Sequence, residues 1–227
     1  LLGTGAFSPD LNSWTILDLA PDIRACTKLS PKHPSFIHIN ELEFVIIIIQ
    51  LAMAIARWEA TPSGFPEIPL LQVLSDNTTA ISWAEKISSR SWKSQSLVRI
   101  YGELLRRSNI GISIVHLPGD KNNTADLLSR PSINSLPILS SRLPQLILQE
   151  PKLANWHFFL PDPALISLMG SALSSASSQT KTALPLSLGQ FCPTDYSTSS
   201  SVLIPALALP TMSHPTTPNT VIPPSSC

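Results

Sequence analysis

Three acidic residues stand where the predicted secondary-structure elements begin or end. Glu43 lies in the first turn of an apolar helix, Asp76 directly follows a short apolar strand, and Asp126 opens a helix after a polar loop. Each acid has an ordinary structural explanation: Glu43 is three residues after Asn40, the spacing of a capping box, and the other two suit a turn and a helix dipole. The alternative is chemistry, because carboxylate oxygens are the ligands that hard cations such as Mg²⁺ prefer. Spacing alone leaves both interpretations open.

The elements that must position these acids alternate between strands and helices. We predict, in chain order, two strands within residues 3–19, a helix over 40–60, a strand over 69–76, helices over 77–88 and 94–109, a strand over 110–117 and a short helix over 124–131. Gly5 in the first strand is expected to weaken it or to admit another backbone at close range. Strands and helices in this order predict an α/β domain with helices packed on a mixed sheet.

Three motifs around the acids resemble the RNase H region of reverse transcriptases from LTR and DIRS-like retrotransposons. They are Ile-Asn-x-Leu-Glu at 39–43, Ser-Asp-Asn at 75–77, and the closing stretch HLPGDKNNTADLLSR at 116–130. The resemblance covers about residues 1–130 and is most specific in the closing stretch. It implies an RNase H-like fold, which is a mixed sheet of five strands flanked by helices.

The resemblance also implies an activity, hydrolysis of the RNA strand of an RNA–DNA hybrid. Glu43, Asp76 and Asp126 would be the catalytic ligands of two divalent ions, Mg²⁺ or Mn²⁺. The implied partners are the hybrid itself and other modules of the same polyprotein, namely a polymerase and an integrase or recombinase.

One ligand of the family is not found in this chain. The family's first aspartate precedes the Gly-x-Gly that matches residues 3–5, so it would lie upstream of Leu1. Asp10 and Asp18 are expected to lie away from the site, at a turn and at the far end of a strand. We therefore expect the chain to be N-terminally truncated, to bind metal weakly and to cleave hybrid poorly. The alternative prediction is a non-catalytic RNase H-like remnant that binds nucleic acid or connects a polymerase to a downstream module.

Basic residues are concentrated beside the predicted site. Residues 86–130 carry eight Lys and Arg against three acids, a net charge of +5. A solvated helix surface and a patch that follows phosphates both explain this excess. For the second explanation, the candidate hybrid contacts are Lys86, Arg90, Trp92 and Lys93, together with Asn77 and Asn122 from the motifs.

Composition divides the chain near residue 130. Residues 131–227 hold six of the 30 charged residues and 14 of the 22 prolines, a composition that offers little regular burial. We predict a mostly disordered Pro/Ser/Thr-rich tail or linker there, with one short helix within 155–173 as an exception.

Neither cysteine spacing nor hydrophobicity indicates secretion or membrane insertion. The three cysteines fit neither a disulfide framework nor a zinc site, and no secretory signal is visible. The apolar run at 44–56 is too short for a bilayer and predicts a buried core helix. We expect an intracellular location, in the cytoplasm or nucleus, with no membrane partner.

Overall fold

The computed structural model describes residues 3–60, 70–108, 110–130, 139–174, 183–193 and 206–209, which form a mixed α/β fold. The strands are β1 (Gly3–Ser8), β2 (Ser13–Leu19), β3 (Leu70–Ser75), β4 (Gly111–His116), β5 (His157–Pro161), β6 (Gly189–Pro193) and β7 (Ala206–Leu207). The α-helices are α1 (Pro21–Cys26), α2 (Ile39–Glu59), α3 (Thr78–Lys86), α4 (Trp92–Ser108), α5 (Asn123–Ser129), α6 (Leu139–Gln149) and α7 (Pro163–Leu173). Short 3₁₀ turns cover Gly119–Lys121 and Pro151–Asn155.

The described strands form two separate sheets. The larger sheet has five strands. Four of them follow the order β1-β2-β5-β6. The fifth, β7, also pairs with β2, on the edge that faces β5. It is mixed, because β1–β2 and β5–β6 are antiparallel while β2–β5 and β2–β7 are parallel. The smaller sheet is the parallel pair β3–β4. A mixed five-stranded sheet with helices is therefore confirmed, but β5, β6 and β7 come from the predicted tail.

The predicted disorder of residues 131–227 is wrong for the elements that the structure describes there. Leu139, Leu143 and Leu146 of α6 are fully buried, at a helical spacing that the proline-rich composition obscured. The chain tolerates Pro144 inside this helix. The predicted short helix within 155–173 corresponds to α7, and the remainder of the predicted tail (131–138, 175–182, 194–205 and 210–227) lies outside the described residues.

Strand β2 separates two hydrophobic clusters, because both of its faces are covered. Successive residues of a strand point to opposite faces. Leu17 and Leu19 pack in a cluster with α2, α4 and α7, whereas Trp14 and Ile16 pack in a second cluster with α5 and α6. Helices α2 and α5 therefore lie on opposite faces of the larger sheet.

Helix α2 is the central helix of the first cluster. By length and composition alone its 21 residues could cross a membrane, but 72% of its apolar window is buried inside the protein. That burial agrees with the predicted core helix. Its cap differs from the prediction: the His38 imidazole accepts the Asn40 N–H and the Glu41 carboxylate accepts the His38 N–H at 3.0 Å. The Asn40–Glu43 capping box is wrong, because Ile39 is already helical, and Glu43 has no part in the cap.

Candidate functional site

The three predicted acids line one cleft of about 410 Å³. Glu43 comes from the first turns of α2, Asp76 from the residue after β3, and Asp126 from α5. Asp10, in the turn between β1 and β2, lines the same cleft, contrary to the expectation that this turn would carry it away. Asp18 is elsewhere, paired with Arg142. The cleft thus receives acids from four separate parts of the chain.

Glu43 and Asp76 are coupled electrostatically. Burial raises the pKa of the Glu43 carboxyl from its ordinary 4.5, and together with the negative charge of Asp76, the smaller cause, it brings this pKa to about 7. Two carboxylates that face one another disfavour the state in which both are charged. A cation bound beside Glu43 would offset this repulsion and favour the ionised form of Glu43.

Two asparagines of the motifs fix the elements that carry this pair. The Asn77 side-chain NH₂ donates to the Asn40 side-chain oxygen at 2.9 Å, which joins the start of α2 to the end of β3. The Asn77 oxygen also accepts the Ala80 N–H at 2.9 Å and so caps α3. The prediction that Ser75–Asn77 caps a helix is therefore confirmed for Asn77. Asp76 takes no part in the cap, and its carboxylate is exposed at the cleft.

Glycines at two positions allow neighbouring elements to approach the acids. A Cβ on Gly119 would lie 3.4 Å from the Asp76 Oδ2 atom, so the Pro-Gly turn sits directly against this carboxylate. A Cβ on Gly5 would lie 2.4 Å from the Leu128 Cβ atom, so a side chain there would displace α5 from β1. The predicted close backbone approach at Gly5 is confirmed.

Asp126 is more exposed than Glu43 and has a partner of its own. Its Oδ2 atom lies 3.0 Å from the Arg130 guanidinium, one helical turn further along, and both side chains are more than half exposed. An exposed pair of this kind is worth little in stability, so it leaves the Asp126 carboxylate free to exchange partners.

The chemistry of the donor set fits a hard divalent cation, because all of the candidate ligands are carboxylate oxygens. Within the described ranges, however, no three His, Cys, Asp or Glu side chains come close enough together to hold a metal ion. The convergence of the three acids within the span of a two-metal site stays a prediction.

The candidate hybrid contacts divide into exposed and buried residues. Lys86 is exposed at the end of α3, Arg90 is exposed between α3 and α4, and Trp92 is 46% exposed at the start of α4. Lys93 is only 5% exposed and its ammonium donates to the Phe36 carbonyl oxygen at 2.9 Å, so the prediction of a surface contact is wrong there. The helical period of α4 turns Lys93 inward beside Leu97.

The two asparagines proposed as contacts also differ. The side-chain hydrogen bonds of Asn77 are used within the fold. Asn122 lines the cleft between Gly119 and Asp126, where a ligand in the cleft would meet it.

The fold and the cleft define a mixed α/β protein that gathers acids from several elements around one cavity between two sheets. No family model, no curated protein and no solved structure matches this chain.

Proposed function

We propose that this chain is an RNase H-type nuclease domain of a retrotransposon polyprotein, which acts on the RNA strand of RNA–DNA hybrids. One observation carries the proposal: Glu43, Asp76 and Asp126, each taken from a different sequence motif, line the same cleft. Acids placed by chance on a helix, a strand end and a second helix have no reason to meet at one cavity.

The residues of the cleft have distinct roles in this proposal. Bound Mg²⁺ or Mn²⁺ would supply activation of the attacking water and stabilisation of the leaving oxygen. Glu43, Asp76 and Asp126 would hold the ions. The Asn40–Asn77 hydrogen bond holds together the ends of α2 and β3, next to which Glu43 and Asp76 lie. Lys86 and Arg90 would attract the phosphate backbone of the hybrid, and Trp92 offers an exposed ring for stacking.

A second candidate is a non-catalytic RNase H-like domain that binds nucleic acid or connects a polymerase to a downstream module. The distribution of the acids favours it, since no three of them converge among the described residues. The two candidates share the hybrid as a ligand, and they differ in what the acids do.

Cleavage and metal binding by acid-to-amide variants test the proposal. The chain is expected to cleave the RNA strand of a hybrid slowly with Mg²⁺, and Asp76→Asn is expected to abolish that cleavage because it removes a ligand. Asp120→Asn is the matched control, an exposed acid in the neighbouring 3₁₀ turn that does not line the cleft. Mn²⁺ added to the wild-type chain should broaden the NMR signals of residues around Glu43, Asp76 and Asp126.

The outcomes separate the two candidates. Cleavage lost only in Asp76→Asn supports the nuclease. Hybrid binding without cleavage or Mn²⁺ broadening, unchanged in Asp76→Asn, supports the non-catalytic domain. Cleavage that survives Asp76→Asn contradicts the assignment of the acids.

A further inference from the structure

Helix α5, which carries Asp126, depends on its neighbours for its position. It has seven residues, and helices of fewer than about 12 residues are marginal on their own in water. In the part of the chain that the structure describes, the Asn122 side chain does not cap its start. The Asp126 carboxylate pairs with Arg130, at the end of the same helix, and this contact does not tie it to another element. The placement of Asp126 therefore depends on the contacts that hold α5.

One of these contacts is a hydrogen-bonded network at the first turn of α5. Thr124, which is 7% exposed, donates its hydroxyl to the Glu150 Oε2 atom at 2.7 Å. The Lys152 ammonium donates to the same hydroxyl oxygen at 3.2 Å and lies 3.5 Å from the Glu150 Oε1 atom. A hydroxyl can donate and accept at once, and a hydrogen bond to a carboxylate is stronger than one between neutral groups. The network thus joins α5 to the connection between α6 and β5.

The same connection also contacts β1. The Lys152 ammonium lies 5.1 Å from the centre of the Phe7 ring and 5.7 Å from that of Trp156. The two rings stack with 6.2 Å between their centroids, and a cation near aromatic faces is attracted to them. Phe7 lines the cleft. The segment 150–156 therefore contacts two of the elements that form the cleft, β1 and α5.

We propose that Glu150 is a positioning residue for Asp126. Its hydrogen bond with Thr124 holds the first turn of α5, and this keeps the Asp126 carboxylate, two residues further on, at the cleft. Lys152 keeps the Glu150 carboxylate directed at Thr124. The inference rests on the proposed function, in which Asp126 is a metal ligand. Because Glu150 lies beyond residue 130, the functional unit extends past the segment that carries the three motifs.

Threonine variants of the full chain test whether the network holds α5. Thr124→Val removes the hydroxyl and keeps the shape of the side chain, whereas Thr124→Ser keeps the hydroxyl. Amide hydrogen exchange in α5 is expected to become about tenfold faster in Thr124→Val, through the loss of a charged hydrogen bond, and to stay near the wild-type rate in Thr124→Ser. Thr27→Val is the matched control, since it removes a hydroxyl that donates to the Arg24 carbonyl oxygen at 2.9 Å, outside the cleft. Amides of α2 report whether the fold is unchanged.

A variant of the acid tests whether Glu150 is the partner that matters. Glu150→Gln removes the charge and is expected to accelerate exchange in α5 as well. The double variant Thr124→Val with Glu150→Gln should exchange no faster than Thr124→Val alone, because the two groups act through one contact. If the two accelerations multiply, the groups act independently and the proposal is overturned.

A Mn²⁺ titration tests whether the network reaches the candidate site. The readout is the Mn²⁺ concentration that broadens the α5 amide signals by half. It is expected to be about threefold higher in Thr124→Val, since about 0.6 kcal/mol of lost ligand placement corresponds to that factor, and to return to the wild-type value in Thr124→Ser. A contact with a purely structural role would leave this concentration unchanged.

The outcomes separate this inference from the proposed function. Faster exchange in α5 together with a higher Mn²⁺ requirement, both restored by Thr124→Ser, supports the positioning role. Unchanged exchange in α5 overturns it, and so does faster exchange with an unchanged Mn²⁺ titration. A wild-type chain that Mn²⁺ does not broaden contradicts the proposed function, and the exchange of α5, which needs neither metal nor hybrid, then decides whether Glu150 holds the helix of Asp126.

Discussion

The two sheets of this protein are built differently. In the larger sheet, β2 is covered on both faces and all of its residues but Asp18 are buried. In the smaller sheet, β3 alternates between buried and exposed positions, and Leu70 and Leu74 are 73% and 45% exposed. The larger sheet provides most of the buried contacts, whereas the smaller one presents Asp76 and an open edge to the cleft. Stability is therefore concentrated in the larger sheet, whereas the candidate site lies at the cleft between the two sheets, as expected where binding residues extend from a rigid scaffold.

The largest expected effect compares a buried arginine–aspartate pair of the larger sheet with an exposed pair at the cleft. The Arg142 guanidinium of α6 is fully buried and lies 2.6 Å from the Asp18 carboxylate of β2, whereas the Arg130–Asp126 pair at the cleft is exposed. Asp18→Ala is expected to lower the free energy of unfolding by about 3–5 kcal/mol, because a buried positive charge loses its carboxylate. Arg130→Ala, the control, should cost less than about 1 kcal/mol. Urea unfolding followed by circular dichroism measures both.

Similar losses in the two variants would contradict this comparison. They would mean that the contact between α6 and β2 contributes no more to stability than the exposed pair at the cleft.

The next effect tests whether α6 belongs to the core of the larger sheet. Leu143 is fully buried against β2 and its neighbours, and Leu148 on the same helix is 83% exposed. Leu143→Ala is expected to lower the free energy of unfolding by about 2–5 kcal/mol, through lost burial and the cavity left behind. Leu148→Ala should change it by less than about 0.5 kcal/mol. If neither variant changes the free energy of unfolding, α6 does not belong to the core, and the predicted disordered tail is correct for this segment.

Sequence predicted the elements around the acids well, because local signals determine them. The apolar period of α2 and the Ser-Asp-Asn turn after β3 are readable within a few residues, and the structure has both elements within a residue or two of the predicted bounds. Sequence missed β5 because its partner is remote: Trp14 pairs with Phe158 in parallel register. No local pattern specifies such a contact, and the low charge and high proline content around β5 concealed its apolar residues.

For the candidate site too, local sequence predicted some features and missed others. The motifs named Glu43, Asp76 and Asp126, and all three line the cleft. They did not indicate that Lys93 would be turned inward by the period of α4, or that Asp10 would reach the cleft. The cap of α2 was misplaced by two residues, because His38 with Glu41 also satisfies the spacing of a capping box. Side-chain direction, more than residue type, decided these cases.

A smaller effect concerns the pH dependence that Glu43 gives to the cleft. Folding raises the pKa of Glu43 from 4.5 to about 7, mainly by burial. The folded state thus binds the proton more tightly, so the stability linked to this proton is complete below pH 4.5 and is lost as the pH rises to about 7. Glu43→Gln cannot ionise and should gain stability relative to the wild type across that interval. Unfolding in urea at a series of pH values measures the difference.

Glu85→Gln on α3 is the control, because it removes the same charge from an exposed position, and a trend shared by both variants would not be specific to Glu43. Mg²⁺ sharpens the experiment. If Glu43 is a ligand, the cation favours its ionised form and lowers its pKa, so the advantage of Glu43→Gln should shrink. An advantage that Mg²⁺ leaves unchanged would argue against Glu43 as a ligand.

The smallest effect concerns two exposed basic residues, Lys86 at the end of α3 and Arg90 just after it. Each phosphate contact releases counterions, so the loss of one contact lowers the salt dependence of hybrid affinity by about one unit of slope. Lys86→Ala with Arg90→Ala should therefore weaken hybrid binding and lower the slope by about two units. Lys28→Ala with Lys32→Ala removes the same charge from exposed positions outside this region. If the two double variants lower the slope equally, net charge and not a defined surface attracts the hybrid. If only the first does, the surface around Lys86 and Arg90 guides the hybrid to the acids of the cleft.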